Sequence, residues 1–279
     1  MLFQRLFAAA LLVAMPLIAN AADSTAEAMR PLIMVVQPIN SEATTEANYK
    51  PLVKYLSEHT GRQIQLQTVN NYHVFWGLSR RKDPFDIALD AAHMTSYRIA
   101  AHGHRVIAKV PSQVSYSLVT SEDSMILDID ELFGKRVATL PSPGLGAIRL
   151  LEMYPNVMHQ PVLVRAQNTE DAIEKLRANE VAAAIIPTPL VANFDGISVV
   201  EVTEAVPSPA VSVSPRVSQQ TASAISKVLV DMKNSDQGRA VLKMARLPGF
   251  EPAGDSDYRG YHALLSGVWG YDPLIGQSD

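Results

Sequence analysis

Pro31-Leu-Ile-Met-Val-Val36 is a continuous apolar run of strand length, and together with the segment down to Val69 it decides the fold. An uninterrupted run of this kind suits a strand covered on both faces, as in a parallel sheet. A loop rich in Ser and Thr comes next, Pro38-Ile-Asn-Ser-Glu-Ala-Thr-Thr-Glu-Ala47. Tyr49, Leu52, Val53 and Leu56 then recur at i, i+3, i+4 and i+7, which is one face of a helix. Gly61 stops that helix, and Gln63-Ile-Gln-Leu-Gln-Thr-Val69 alternates like a second strand. Onward from there, Tyr72 to Leu78 reads as a short helix, Phe85-Asp-Ile-Ala-Leu89 as a strand, Ala92 to Ala101 as a helix and Val106 to Val110 as a strand. Strands alternating with helices indicate an α/β layer architecture.

The same rhythm starts again after residue 113. Ser115 to Thr120, Arg136 to Leu140, Val162 to Arg165 and Val181 to Ile186 read as strands. Ile148 to Tyr154 reads as helix, as does the segment that Asn168-Thr169-Glu170 would cap, with Ala172, Ile173 and Leu176 on its apolar face. A further strand, Ala210 to Val213, precedes helices near Gln219–Lys233 and Asp236–Ala245. The expected organisation is one lobe over 22–112, a second over 113–207, and a return to the first over 208–279. The aromatic tail (Tyr258, Tyr261, Trp269, Tyr271) is expected to wrap over lobe one.

The N-terminus carries one positive charge, Arg5, ahead of an apolar run from Leu6 to Ile18 and a small-x-small Ala19-Asn20-Ala21. That is the layout of a signal peptide over 1–21, with cleavage expected after Ala21. The run is too short for the roughly 20 residues of a bilayer span. The expectation is a soluble periplasmic protein after cleavage. The chain has no cysteine, which excludes disulfides, thiolate chemistry and lipid attachment at an N-terminal cysteine. A net charge of −4 without a basic block argues against a nucleic-acid partner.

In open α/β sheets ligands bind beyond the carboxyl ends of strands, where helix N-termini point unpaired N–H groups into the same space. Four segments qualify. After the first strand come Ser41 and Thr44 as hydroxyl donors and Tyr49 as a phenol, although Tyr49 equally fits the apolar helix face. After the strand ending at Leu89 come Asp90, His93 and Tyr97, with Asp90 also a natural N-cap. Pro141-Ser-Pro-Gly-Leu-Gly146 joins a strand to a helix and offers Ser142 and the permissive backbone of Gly144. At the fourth junction stands Thr169, where it or Asn168 caps the helix. No metal site is expected: His93 and His102 lie about 13 Å apart along one helix, and no His-Glu-x-x-His pattern exists. Nor does a Gly-x-Ser-x-Gly elbow occur, so no enzyme activity and no cofactor are expected.

Several passages in order resemble the phosphate/phosphite/phosphonate-binding proteins of ABC transporters, the PhnD-like family. They are Tyr49-Lys-Pro-Leu-Val-Lys-Tyr-Leu-Ser-Glu-His-Thr-Gly61, Phe85-Asp-Ile-Ala-Leu89, Tyr116 with Ser121-Glu-Asp-Ser124, Asp130-Glu-Leu-Phe-Gly-Lys-Arg-Val-Ala138, and Asn168 to Val181. The resemblance runs from about Met34 to Pro248. It implies a two-lobed type II periplasmic-binding-protein fold, each lobe a mixed sheet flanked by helices. It also implies closure over a small-molecule ligand, an oxyanion in that family, and delivery to a membrane permease. By resemblance Tyr49 stands for a ligand-contacting tyrosine, the His93–Tyr97 segment for a second contact region, and Pro141 to Gly146 for a Ser-Thr-Ser-Gly phosphate loop. That loop departs from the family pattern, losing at least one hydroxyl and the N–H at Pro143. The expected function is a solute-binding protein, a phosphorus oxyanion being the first ligand to consider. The alternatives are a ligand-sensing subunit for a membrane receptor such as a histidine kinase or cyclase, and an envelope enzyme.

Overall fold

The computed structural model describes residues 30–81 and 84–275. The expected signal peptide lies outside the described residues. The elements run β1 (Leu32–Val36), α1 (Glu42–Thr60), β2 (Ile64–Gln67), α2 (Tyr72–Arg81), β3 (Ile87–Asp90), α3 (Ala92–His102), β4 (Arg105–Lys109) and β5 (Gln113–Val114). Next come β6 (Tyr116–Ser121), β7 (Arg136–Thr139), α4 (Leu145–Glu152), β8 (Val162–Arg165), α5 (Thr169–Arg177), β9 (Ala183–Pro187) and β10 (Ile197–Val202). The chain ends with β11 (Val206–Pro207), β12 (Ala210–Val213), α6 (Gln219–Asp231), α7 (Asp236–Met244) and an aromatic tail.

Two five-stranded sheets result, in the orders β2-β1-β3-β12-β4 and β8-β7-β9-β6-β10. In each, three neighbouring strands are parallel and the fourth is antiparallel to both of its neighbours. The antiparallel strand is in each case the one that enters from the crossing chain: β6 comes directly after β5, and β12 after β11. β5 and β11 pair with each other, Val114 opposite Val206, so a short antiparallel ladder connects the two sheets. The protein is therefore a two-lobed α/β structure whose halves repeat one topology and share a double connection.

The continuous apolar runs are buried strands, because helices cover both sheet faces. Leu32, Met34, Ile87 and Val213 of sheet one pack with Leu52 and Leu56 of α1 and Ile225 and Leu229 of α6. In sheet two, Val137 and Ile185 face Leu150 of α4, while Ala138 and Ile186 face Ile173 and Leu176 of α5. Alternate residues thus feed the two faces, as the strand period requires.

Several elements differ from the sequence reading, which leaves the short strands β5 and β11 unassigned. α1 begins at Glu42, so the Ser/Thr-rich stretch is mostly helix. Ser41 is its N-cap and accepts from the Thr44 N–H, which satisfies an otherwise orphaned donor. β10, which the sequence reading leaves unassigned, is an edge strand paired among the described residues only to β6, with Val199 and Val202 exposed. The tail folds back over α2 and α3: Trp76 Nε1 donates to the Trp269 carbonyl at 2.9 Å, and Leu265 is fully buried.

Asp86 sits at the start of β3, far from the carboxyl ends. Its carboxyl is buried and accepts from Arg30 at 2.8 Å, from the Ile33 N–H at 2.9 Å and from Arg216 at 3.1 Å. Burial alone would raise it, but these donors hold it below the ordinary carboxylate value. Both arginines are about two-fifths exposed and can turn to water if it is lost. Asp86→Ala is accordingly expected to cost about 2 kcal/mol in urea unfolding. In the wild type that stabilisation is present above the unfolded carboxyl's pKa and is lost as pH falls through the depressed folded one.

Candidate functional site

The carboxyl ends of β1, β3, β7 and β9 converge on the gap between the sheets, which is where the topology predicts a ligand. A cavity of about 320 Å³ lies there, beside the β5/β11 ladder. Sheet one and α1 contribute Gln37, Tyr49 and Leu89; lobe two contributes Tyr116, Pro187 and Leu190. Gln37, the first polar residue after β1, is fixed as its floor: Oε1 accepts from Tyr72 Oη at 3.1 Å and from the Ala91 N–H at 3.0 Å.

Two hydrogen-bonded contacts join the lobes across the gap. His93, in the first turn of α3, donates from Nε2 to the Pro143 carbonyl at 2.8 Å. A carbonyl can only accept, so Nε2 carries the proton and Nδ1 is left bare; Nδ1 is buried without a hydrogen-bond partner among the described residues. Burial pushes the imidazole down to about 4; the Pro143 bond opposes this shift and the Arg149 charge adds to it. Thr169, at the start of α5, donates to the Ile39 carbonyl from its N–H at 3.1 Å and its Oγ1 at 3.2 Å. Asn168, not Thr169, caps α5, its side chain accepting from the Asp171 N–H.

The other candidates divide. Tyr49 lines the cavity while also packing in the core of lobe one. Burial pushes its phenol up to about 12. Ser41 and Thr44 bond to each other at 2.8 Å and serve the helix cap. Asp90 does not cap α3, whose N-cap is Ala91. Its carboxylate turns inward instead, accepting from Arg98 Nε and Thr95 Oγ1, both at 2.8 Å, with Asp90 and Arg98 wholly buried. Tyr97 packs edge-on against Trp76, ring centroids 4.9 Å apart, and does not line the cavity. Ser142 faces a different cavity of about 600 Å³, between α4, β8 and the tail. Gly144 is the N-cap of α4, and its N–H bonds back to the Pro141 carbonyl at 2.8 Å. The turn from Gly144 to Gly146 faces a space of only about 10 Å³, closed by Ile39, Tyr72, Tyr116 and Ile185. A Cβ at Gly146 would stand 3.2 Å from the Tyr116 ring, so glycine is what lets the two approach.

The sequence reading of the site passes over Gln37, Tyr116 and Leu190. A signal for Gln37 exists, since it is the polar residue at the carboxyl end of the deciding run. Tyr116 enters only because β6 runs antiparallel, which places its start at the cleft edge of the sheet.

A family model described as ABC transporter, phosphonate, periplasmic substrate-binding protein matches residues 34–258. The chain belongs to this family. Its business is therefore to capture a solute. No curated protein sequence matches it. Among solved structures it is similar to PhnD1 from Prochlorococcus marinus in complex with methylphosphonate, with a TM-score of 0.74 at 12% identity, over 86% of this chain and 98% of that one. The binding protein component of an ABC phosphonate transporter from Pseudomonas aeruginosa gives a TM-score of 0.72 at 13% identity, covering 89% and 92%. XAC2383 from Xanthomonas citri, bound to ATP, gives 0.65 at 14% identity, covering 85% and 96%. At these identities the likeness is one of fold. Among the described residues no helix is long and apolar enough to cross a membrane.

Proposed function

We propose that this family member captures one small solute in the cavity between its lobes and presents the closed form to the permease of an ABC transporter from the periplasmic side. The observation that carries the reading is the pair of direct bonds across the gap, His93 to Pro143 and Thr169 to Ile39, the last of which also lines the cavity. Both are made by helix-start residues to backbone carbonyls of the other lobe. Opening breaks these bonds, parts the apolar packing of Ala91 and Ala92 with lobe two, and rotates the lobes about the β5/β11 connection, a hinge motion of the usual kind.

Small-angle X-ray scattering on the mature chain tests this. Removing both contacts, with His93→Ala and Thr169→Ala together, is expected to enlarge the radius of gyration of the ligand-free protein while its circular dichroism stays unchanged. An identical radius for wild type and double variant would exclude closure held by these residues. Methylphosphonate, suggested by the family's description and by the ligand of one structural neighbour, is the first solute to add, with inorganic phosphate beside it.

A further inference from the structure

We infer that the cleft takes an uncharged, largely apolar solute of one or two rings with a single hydrogen-bonding end, rather than a phosphorus oxyanion. This rests on the solute-capture reading above and concerns the chemistry of the same site.

A buried phosphoryl group needs several donors converging on one point. The hydroxyl donors that the loops offer are used elsewhere, and Asn40 and Asn48, which line the cavity, add neutral amides without a positive charge. Ser41 and Thr44 are committed to the α1 cap, both donors of Thr169 to Ile39, and Ser142 lines a separate cavity. The start of α4, the natural anion site of lobe two, faces room for about one water molecule. Pro143 has no N–H, and its carbonyl, an acceptor, is the group turned toward lobe one. Charge points the same way. Arg246 is the one charged side chain among the cavity's lining residues, and it is exposed. An anion enclosed here would lose its hydration without a buried cation to replace it.

The positive features are equally specific. Val36, Leu89, Val114, Pro187, Leu190 and Leu247 give the cavity an apolar wall. Tyr49 and Tyr116 line it too, each 7% exposed, and neither hydroxyl has a hydrogen-bond partner among the described residues. Burial raises both phenols, so they stay protonated and can donate to a ligand oxygen. A volume of about 320 Å³ suits a small ring compound.

Isothermal titration of the mature chain with indole, 1-naphthol, methylphosphonate and inorganic phosphate decides the matter. The two ring compounds are expected to bind and the two phosphorus compounds are not. Leu190→Trp, which fills the cavity from a half-buried position, is expected to weaken the ring compounds by about tenfold or more. Tyr49→Phe is expected to weaken 1-naphthol roughly fivefold through one lost hydrogen bond, with the thermal midpoint unchanged. Saturable binding of methylphosphonate or phosphate would overturn this ligand class and leave solute capture standing. Ring-compound binding that Leu190→Trp does not alter would put the probe outside this cleft and also overturn it. A folded chain that binds none of the four would overturn this ligand class and leave the capture reading to the scattering test above.

Discussion

Asp90→Ala is expected to lower the unfolding free energy by about 3–5 kcal/mol, the largest effect of any single substitution considered for this chain. Asp90 and Arg98 are both wholly buried, with Nε and the carboxylate oxygen 2.8 Å apart. Burial disfavours the charged form of each, pushing the carboxyl up to about 7 against its Thr95 bond and the guanidinium down to about 9. The two losses are not symmetric. Without Asp90, a guanidinium that is still charged at neutral pH is left in the core beneath the Phe75 and Phe85 rings. Without Arg98, the carboxyl can take up a proton and become neutral. Arg98→Met should therefore cost less than Asp90→Ala, and the double variant less than the sum of the two. Urea unfolding at pH 7 measures all three. A cost below about 1 kcal/mol for Asp90→Ala would show that the pair stabilises little more than a surface bridge. The contrast with Asp86 is one of exposure: its arginines reach water, whereas Arg98 does not.

Acidification is expected to weaken the closed, folded state through His93. The unfolded imidazole protonates near its ordinary 6.5, whereas the buried one is held down to about 4. Between those values the unfolded chain binds the extra proton, so stability falls as pH drops across this window. The loss approaches roughly 3 kcal/mol by its lower end, and above the window the group contributes no pH dependence. His93→Gln keeps a donor for Pro143 and removes the titration. The difference in stability between wild type and His93→Gln should be flat above pH 7 and shrink steadily from pH 6.5 toward 4; other titrating groups cancel in that difference. An open lobe exposes His93 to water, so the same proton should favour opening, seen as a larger radius of gyration at pH 5 in the wild type only. A difference that does not vary with pH would mean that His93 titrates normally in the closed state.

Much of the architecture is legible in the chain's own patterning. The runs at Leu32–Val36 and Ala183–Pro187 are apolar because both faces of each strand are covered, and Gly61 ends α1 with the positive φ of 66° that only glycine adopts freely. Strands buried on one face and open on the other leave a weaker trace. β10 shows two valines to solvent, and its pattern does not announce a strand for that reason. The start of α1 is hidden because Ser and Thr are equally at home in a loop and in a helix cap, and only the bond from the Thr44 N–H to Ser41 Oγ separates the two.

Local sequence determined the order of elements and the two α/β series, since each of these depends on residues close together in the chain. Tertiary structure alone decided which side chains are available there. The same hydroxyl can cap a helix, lock one lobe to the other or meet a ligand, and residue type is identical in all three cases. Distance settled it: Ile39 stands beside Thr169 and Pro143 beside His93, each pair facing across the gap between the lobes, and Tyr116 stands beside Gly146 within lobe two.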